Sequence, residues 1–288
     1  MRAGSEQARC GSSLWGRFRT ACGLTGLWLC ICALAPSVLA AVPQTVILQD
    51  LTWTELRQDI RAGKTTIIIP IGGTEQSGPY VALGKHNARV QVLSARIAQR
   101  LGNALVAPVI AYVPEGSYDP PTSHMRFPGT ITIPDSAFES TLESAANSFR
   151  IHGFRTVVFL GDHGGYQRDL RVVVNQLNRQ WLHTGARAFV PSAYYAASSH
   201  GFDQILRARG YPDDIIGTHA GLADTSLLLA VAPQMVRREA LKNAARPGPA
   251  LGVYGGDPRH ASAALGRLGV RLIVTRTVEA IRRETARH

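Results

Sequence analysis

Short β-branched runs alternate with amphipathic helical stretches through most of this chain, and that alternation restricts its fold more than any other feature. "TTIIIPIGG" (65–73), "ALVAPVIAYV" (104–113), "RTVVFLGDHGG" (155–165) and "ARAFVPSAYY" (186–195) read as strands, the last interrupted by Pro191. A helix is predicted from about Ala88, with Val90, Leu93, Ile97 and Leu101 three and four residues apart. Asp135 or Ser136 opens another, because Ser136-x-x-Glu139 has capping-box form; its apolar face is Phe138, Leu142, Ala145 and Phe149, and Gly153 stops it. Leu170, Val174, Leu177 and Trp181 stripe a third helix, and two more are predicted, at about Gly221 to Val231 and at the chain end. Strands joined through helices need crossover connections, which produce a mostly parallel sheet covered on both faces. The expected fold is therefore a single α/β domain, doubly wound, with a mostly parallel sheet and helices on both faces. No internal repeat interrupts it.

The first forty residues do not fit that pattern. Arg2, Arg9, Arg17 and Arg19 precede the apolar run "LTGLWLCICALAPSVLA", which ends with Val38 and Ala40 as small residues. This is the form of a secretory signal, too short and too broken by Pro36 to span a membrane well. Residues 1–40 are expected to be a signal peptide, cleaved after Ala40, and residues 41–288 the α/β domain, exported to a periplasm or secreted, with no stable membrane anchor after cleavage. All four cysteines (Cys10, Cys22, Cys30, Cys32) lie in the leader, so the mature domain has neither disulfides nor thiolate chemistry. The net charge of +11 is spread over scattered arginines, without a long basic run or an aromatic-interleaved motif. That distribution points away from nucleic acid as a partner.

Open parallel sheets place ligand sites at the carboxyl ends of their strands. Glu75 follows the first strand, with His86 eleven residues later; His163 follows the third, in "DHGG"; His219 and Asp224 flank the start of a late helix. Singly, each has an ordinary reading: a solvated loop acid, a surface histidine, a first-turn acid favoured by the helix dipole. Together, these metal-competent side chains on one edge of one sheet point to a site.

The stretches "PIGGTEQSGP" with "LGKH", "SHMRFPGTI", "GFRTVVFLGDHGG", "HAGLADTSLLLAVAP" and "GVYGGDPRHAS" resemble, in this order, the creatininase family of metal-dependent amidohydrolases, over about residues 65–265. The resemblance implies a doubly wound α/β fold, usually assembled into hexamers, with a two-metal site that hydrolyses cyclic or other amides. It also exposes departures. Where the family reads Glu-x-His and then Asp, this chain has Glu75, Ser77 and His86; His163 keeps its place, and Asp224 replaces a Glu. An imidazole cannot easily bridge two metals through one nitrogen, so Glu75, His86, His163 and Asp224 are expected to hold one divalent ion per chain, Zn or Mn. His219 is expected to shuttle a proton to the leaving nitrogen, and the backbone N–H groups of Gly164 and Gly165 to hold an oxyanion. The residues leave open whether Glu75 or Asp224 is a ligand or the base. The expected function is an exported metal-dependent hydrolase of an amide-type C–N bond, taking a small-molecule substrate and forming a homo-oligomer. The competing readings are a non-catalytic metal- or ligand-binding protein of the same fold and an anion-binding envelope protein. Metal-dependent turnover separates the first two.

Overall fold

The computed structural model describes residues 44–286. The leader expected over residues 1–40 lies outside the described residues. Helix α1 (Trp53–Arg61) opens on a capping box made by Thr52 and Glu55. Then follow β1 (Thr66–Ile71), α2 (Lys85–Leu101), β2 (Ala104–Val106), α3 (Asp135–Ile151), β3 (Thr156–Gly161), α4 (Gln167–Gln180) and β4 (Arg187–Phe189). After β4 the chain is helical: α5 (Ser192–Ala196) runs through a π turn (Ala197–Gly201) into α6 (Phe202–Arg207). The remaining helices are α7 (Asp213–Ile216), α8 (Leu222–Val231), α9 (Arg238–Lys242) and α10 (Ala263–Thr285). No described helix is long and apolar enough to cross a membrane.

The four strands are parallel, in the order β2-β1-β3-β4, with Ile68 opposite Val106 and Ile69 opposite Phe159. Successive strand side chains point to opposite faces. Ile68, Val158 and Leu160 therefore pack with Val90, Leu93 and Ile97 of α2, Leu227 of α8 and Ile273 of α10. Ile67, Ile69 and Phe159 pack on the other face with Phe138 and Leu142 of α3 and Leu170 and Leu177 of α4. This is the expected doubly wound sheet. From β1 the chain crosses one way to β2, from β3 the other way to β4, so the crevice lies between the carboxyl ends of β1 and β3.

Several boundaries differ from expectation, each for a local reason. "ALVAPVIAYV" is not one strand, because Pro70 offers no amide to the ladder. Ala107 N–H reaches Ile68 O, the pairing lapses, and it resumes only where Ile110 N–H donates to Pro70 O. β4 ends at Phe189, and Pro191 becomes the cap of α5, so Tyr194 and Tyr195 are helical. α3 starts at Asp135 after Pro134, which leaves Ser136 inside the first turn and the expected capping box unformed. The difference with most consequence is in α2. It begins at Lys85, not near Ala88, and so places Lys85, His86 and Arg89 on the same buried face as Val90 and Leu93.

Candidate metal centre

Four segments deliver side chains to the crevice. β1 ends in Gly72–Gly73 and leads to Glu75, which is wholly buried. Gly73 has φ +147°, and a Cβ there would lie 2.7 Å from Glu115 Oε1, so only glycine lets that carboxylate in. Glu115 comes from the long loop after β2, anchored by its N–H to Thr132 Oγ1 (3.0 Å). The same loop carries His124, just after Ser123, a non-glycine residue at φ +47°. β3 ends at Asp162 and His163. The Tyr166 hydroxyl ties these strand ends together, accepting the N–H groups of Asp162 (3.1 Å) and His163 (3.0 Å) and lying 2.8 and 2.7 Å from the carbonyls of Ile71 and Gly72. His219 precedes α8 and is followed by Ala220 at φ +55°. Positive φ at two non-glycine residues costs energy, and here both flank a histidine of the crevice.

Glu75, Glu115, His124 and His163 bring one ligand atom each to within 4.8 Å of one another. Glu75 Oε2 stands 3.2 Å from His124 Nε2 and 3.5 Å from His163 Nε2, and His163 Nδ1 stands 3.7 Å from Glu115 Oε1. Glu75 Oε2 and both Glu115 oxygens nevertheless have no hydrogen-bond partner, although both acids are buried. Orphaned buried carboxylate oxygens are costly and need an explanation. Without a cation, burial and the neighbouring Glu75 push the Glu115 carboxyl up to about 9. Burial pulls His163 down to about 4, and burial together with Lys85 pulls His219 down to about 3, so both rings are neutral and offer lone pairs. Buried acid oxygens and imidazole nitrogens converging in this way fit a divalent ion; two carboxylates and two imidazoles suit Zn or Mn.

The other side of Glu75 is closed. Its Oε1 lies 2.8 Å from His86 Nε2 and 3.3 Å from Lys85 Nζ. Lys85 also donates to Asp224 Oδ2 (2.7 Å), and Arg89 donates to Asp224 Oδ1 (2.6 Å) and Asp162 Oδ2 (2.8 Å). Asp162 further meets His86 Nδ1 (2.7 Å) and the Tyr194 hydroxyl (2.6 Å). Burial alone would raise the Asp162 and Asp224 carboxyls, but Arg89 lowers the first, and Lys85 and Arg89 hold the second well below its usual range. Burial would likewise lower Lys85; Asp224 and Glu75 raise it instead.

The residues singled out in the sequence thus come together but divide their work. Glu75 and His163 belong to the metal-competent group. His86 and Asp224 do not join it, a correction with a clear cause: both His86 nitrogens face carboxylates, and both Asp224 oxygens accept from cations. Gly164 lines a cavity of about 370 Å³ above the centre, whereas the Gly165 N–H is turned to His163 Nδ1 (3.3 Å) instead of an oxyanion. His219 lines the cavity too, with Nε2 on the Gln76 carbonyl (3.0 Å) and Nδ1 toward Glu75 Oε1 (3.6 Å). A carbonyl can only accept, so the ring proton is on Nε2 and the lone pair is on Nδ1. Glu115 was missed, although it stands just past the run 104–113 that was read as a strand and so carried a strand-end signal. His124 stood inside the quoted "SHMRFPGTI", without being singled out as a ligand.

Fold and centre together define a doubly wound α/β protein with an acid–imidazole site, able to hold a metal, at its sheet switch point. The creatininase (creatinine amidohydrolase) family profile matches residues 49–281, and the chain belongs to that family. It is 26% identical to the creatinine amidohydrolase of Pseudomonas putida over 200 residues, which is 67% of this chain and 74% of that protein. It is 30% identical to the mycofactocin precursor peptide peptidase of Mycobacterium ulcerans over 226 residues, covering 70% of this chain and 78% of the relative. A solved manganese creatininase superposes with a TM-score of 0.70 at 24% identity, covering 84% of this chain and 99% of that one. A mutant creatininase of Zn–Zn type gives 0.68 with the same identity and coverage.

Proposed function

We propose that this chain is a metal-dependent hydrolase of an amide-type C–N bond, with one Zn or Mn ion held by Glu75, Glu115, His124 and His163. The observation that carries this reading is the set of orphaned oxygens on two buried acids, faced by neutral imidazoles at the floor of a solvent-reaching cavity. When bound there, a divalent ion polarises a carbonyl and makes water a stronger nucleophile at neutral pH. His219, neutral without a cation and lining the cavity, carries a proton from the attacking water to the departing nitrogen. Gln76 positions two rings at once, its side-chain Nε2 donating to His124 Nδ1 (2.9 Å) and its backbone carbonyl accepting from His219 Nε2 (3.0 Å). Its Oε1 is in turn held by the Gly78 N–H (2.9 Å). Gly164 admits the Tyr195 hydroxyl, which a Cβ would meet at 2.5 Å, and so keeps a polar group at the rim.

The family relatives named above include a creatinine hydrolase and a peptidase, which supports amides as the substrate class. The altered metal-binding stretch argues against creatinine itself. The chain is also proposed to be exported, on the strength of its leader, and to form a homo-oligomer, on the strength of the family resemblance. Release of amine from a panel of lactams and short peptides, measured on metal-stripped and metal-loaded protein, tests the activity. Loss of ~10²-fold or more in turnover in His219→Ala, with metal retained, is expected for a proton shuttle. Metal bound without turnover on any amide favours a binding protein that kept the fold.

A further inference from the structure

The acid cluster of this crevice has two halves, and only one is open to a metal. Glu75, Glu115, Asp162 and Asp224 are four carboxylates in contact through shared partners, and Lys85 and Arg89 are two fully desolvated cations among them. Glu75 is the divide: Oε1 faces Lys85 and His86, whereas Oε2 faces His124 and His163. Every carboxylate oxygen without a partner, Glu75 Oε2 and both of Glu115, lies on the open side. On the closed side all four oxygens of Asp162 and Asp224 are taken by Arg89, Lys85, His86 or Tyr194.

Burying a lysine and an arginine is costly unless their partners are well placed, so such cations are rarely kept for stability alone. Both stand on the first turns of α2, four residues apart, on the helix face that the core stripe continues. The four acids outnumber the two cations, so the cluster keeps carboxylate oxygens for a metal ion. A second ion would find no free oxygen on the closed side and would have to displace an ammonium or a guanidinium.

Resting on the metal-site reading above, we propose that Lys85 and Arg89 are built-in counter-cations. They occupy the half of the cluster next to the metal position, so that the centre takes one divalent ion and cannot take a pair. A related structure is of Zn–Zn type. Here the second positive centre is part of the polypeptide. Lys85, its Nζ 3.3 Å from Glu75 Oε1, holds that oxygen and leaves Oε2 facing His124 and His163. It is a positioning residue, not a catalytic one, since it is wholly buried.

The test is a count of ions on the full chain. Metal-stripped protein is titrated with Mn²⁺ by calorimetry, and its metal is measured after dialysis. Electron paramagnetic resonance of the loaded protein then distinguishes an isolated Mn²⁺ ion, with its six-line spectrum, from a spin-coupled pair. One ion and a six-line spectrum are expected. Two ions, or a coupled spectrum, overturn the proposal while leaving the metal-site reading intact. No bound ion overturns both. In a Lys85→Met, Arg89→Met double variant the cations go while bulk remains, and two Mn²⁺ per chain are expected, with a larger Mn²⁺-induced rise in Tm than in the wild type. A folded double variant that still binds one ion overturns the counter-cation role. If that variant does not fold, Lys85→Arg, which keeps the charge, must still bind one ion with a six-line spectrum, and a second ion there counts against the proposal.

Discussion

Glu115 is the most informative single residue, because a buried acid this close to a second one needs a proton or a cation to hold it there. Its carboxylate is buried, unpartnered and pushed up to about 9 by burial and by Glu75. Glu115→Gln preserves shape and removes the charge, and metal affinity is expected to fall about 10- to 100-fold. Calorimetric titration of the stripped variant checks this, and unchanged affinity would remove Glu115 from the ligand set. Glu75 and His163 were legible in the sequence because strand ends in a parallel sheet predict where function gathers. Glu115, just past the run 104–113, was open to the same argument but was passed over, and the observed strand ends earlier, at Val106. The burial of Lys85 and Arg89 was hidden for a different reason. Lysine and arginine are ordinarily surface residues, and the acid that holds both, Asp224, is 139 and 135 residues away along the chain. The cations that take up Asp224, expected as a ligand, could not be seen from its own neighbourhood in the sequence.

At the scale of elements, the strands and main helices were readable because their apolar periods agree with the faces they bury. The errors lie where a proline or a helix start altered a boundary. α2 gained a turn at its start, and that turn brings Lys85 and His86 onto the buried face that Arg89 shares. α10 shows a tolerance of a different kind. A Cβ at Gly266 would fall 1.8 Å from the Ser226 carbonyl of α8, so the two helices meet backbone to backbone. Gly266→Ala must push α10 away from the helix whose first turn carries Asp224, and a loss of at least about 2 kcal/mol is expected. Gly248, with open space at its Cβ, is the control: Gly248→Ala is expected to be neutral or stabilising by up to about 1 kcal/mol. Chemical denaturation of the two variants separates these outcomes. Equal stabilities would mean that the helix contact yields more easily than its geometry implies.

For the molecule as a whole, an ion that binds only the folded chain stabilises it by mass action. At a hundredfold excess over Kd the gain is about 2.7 kcal/mol, or roughly 5–10 °C in Tm for a domain of this size. Treatment with a strong chelator is expected to lower Tm by that order, and Mn²⁺ or Zn²⁺ to restore it; a Tm indifferent to both would count against a resident ion. The chain contains only three lysines, Lys64, Lys85 and Lys242. Lys64 and Lys242 reach solvent, whereas Lys85 is wholly buried. Amine-selective reagents should therefore label the first two at once and leave the third unmarked for as long as the crevice stays shut. The acylation rate at that one side chain, read by peptide mass spectrometry, becomes a clock for how often the centre opens. Acylation of Lys85 as fast as Lys242 in native protein would show that the network is far looser than its contacts suggest.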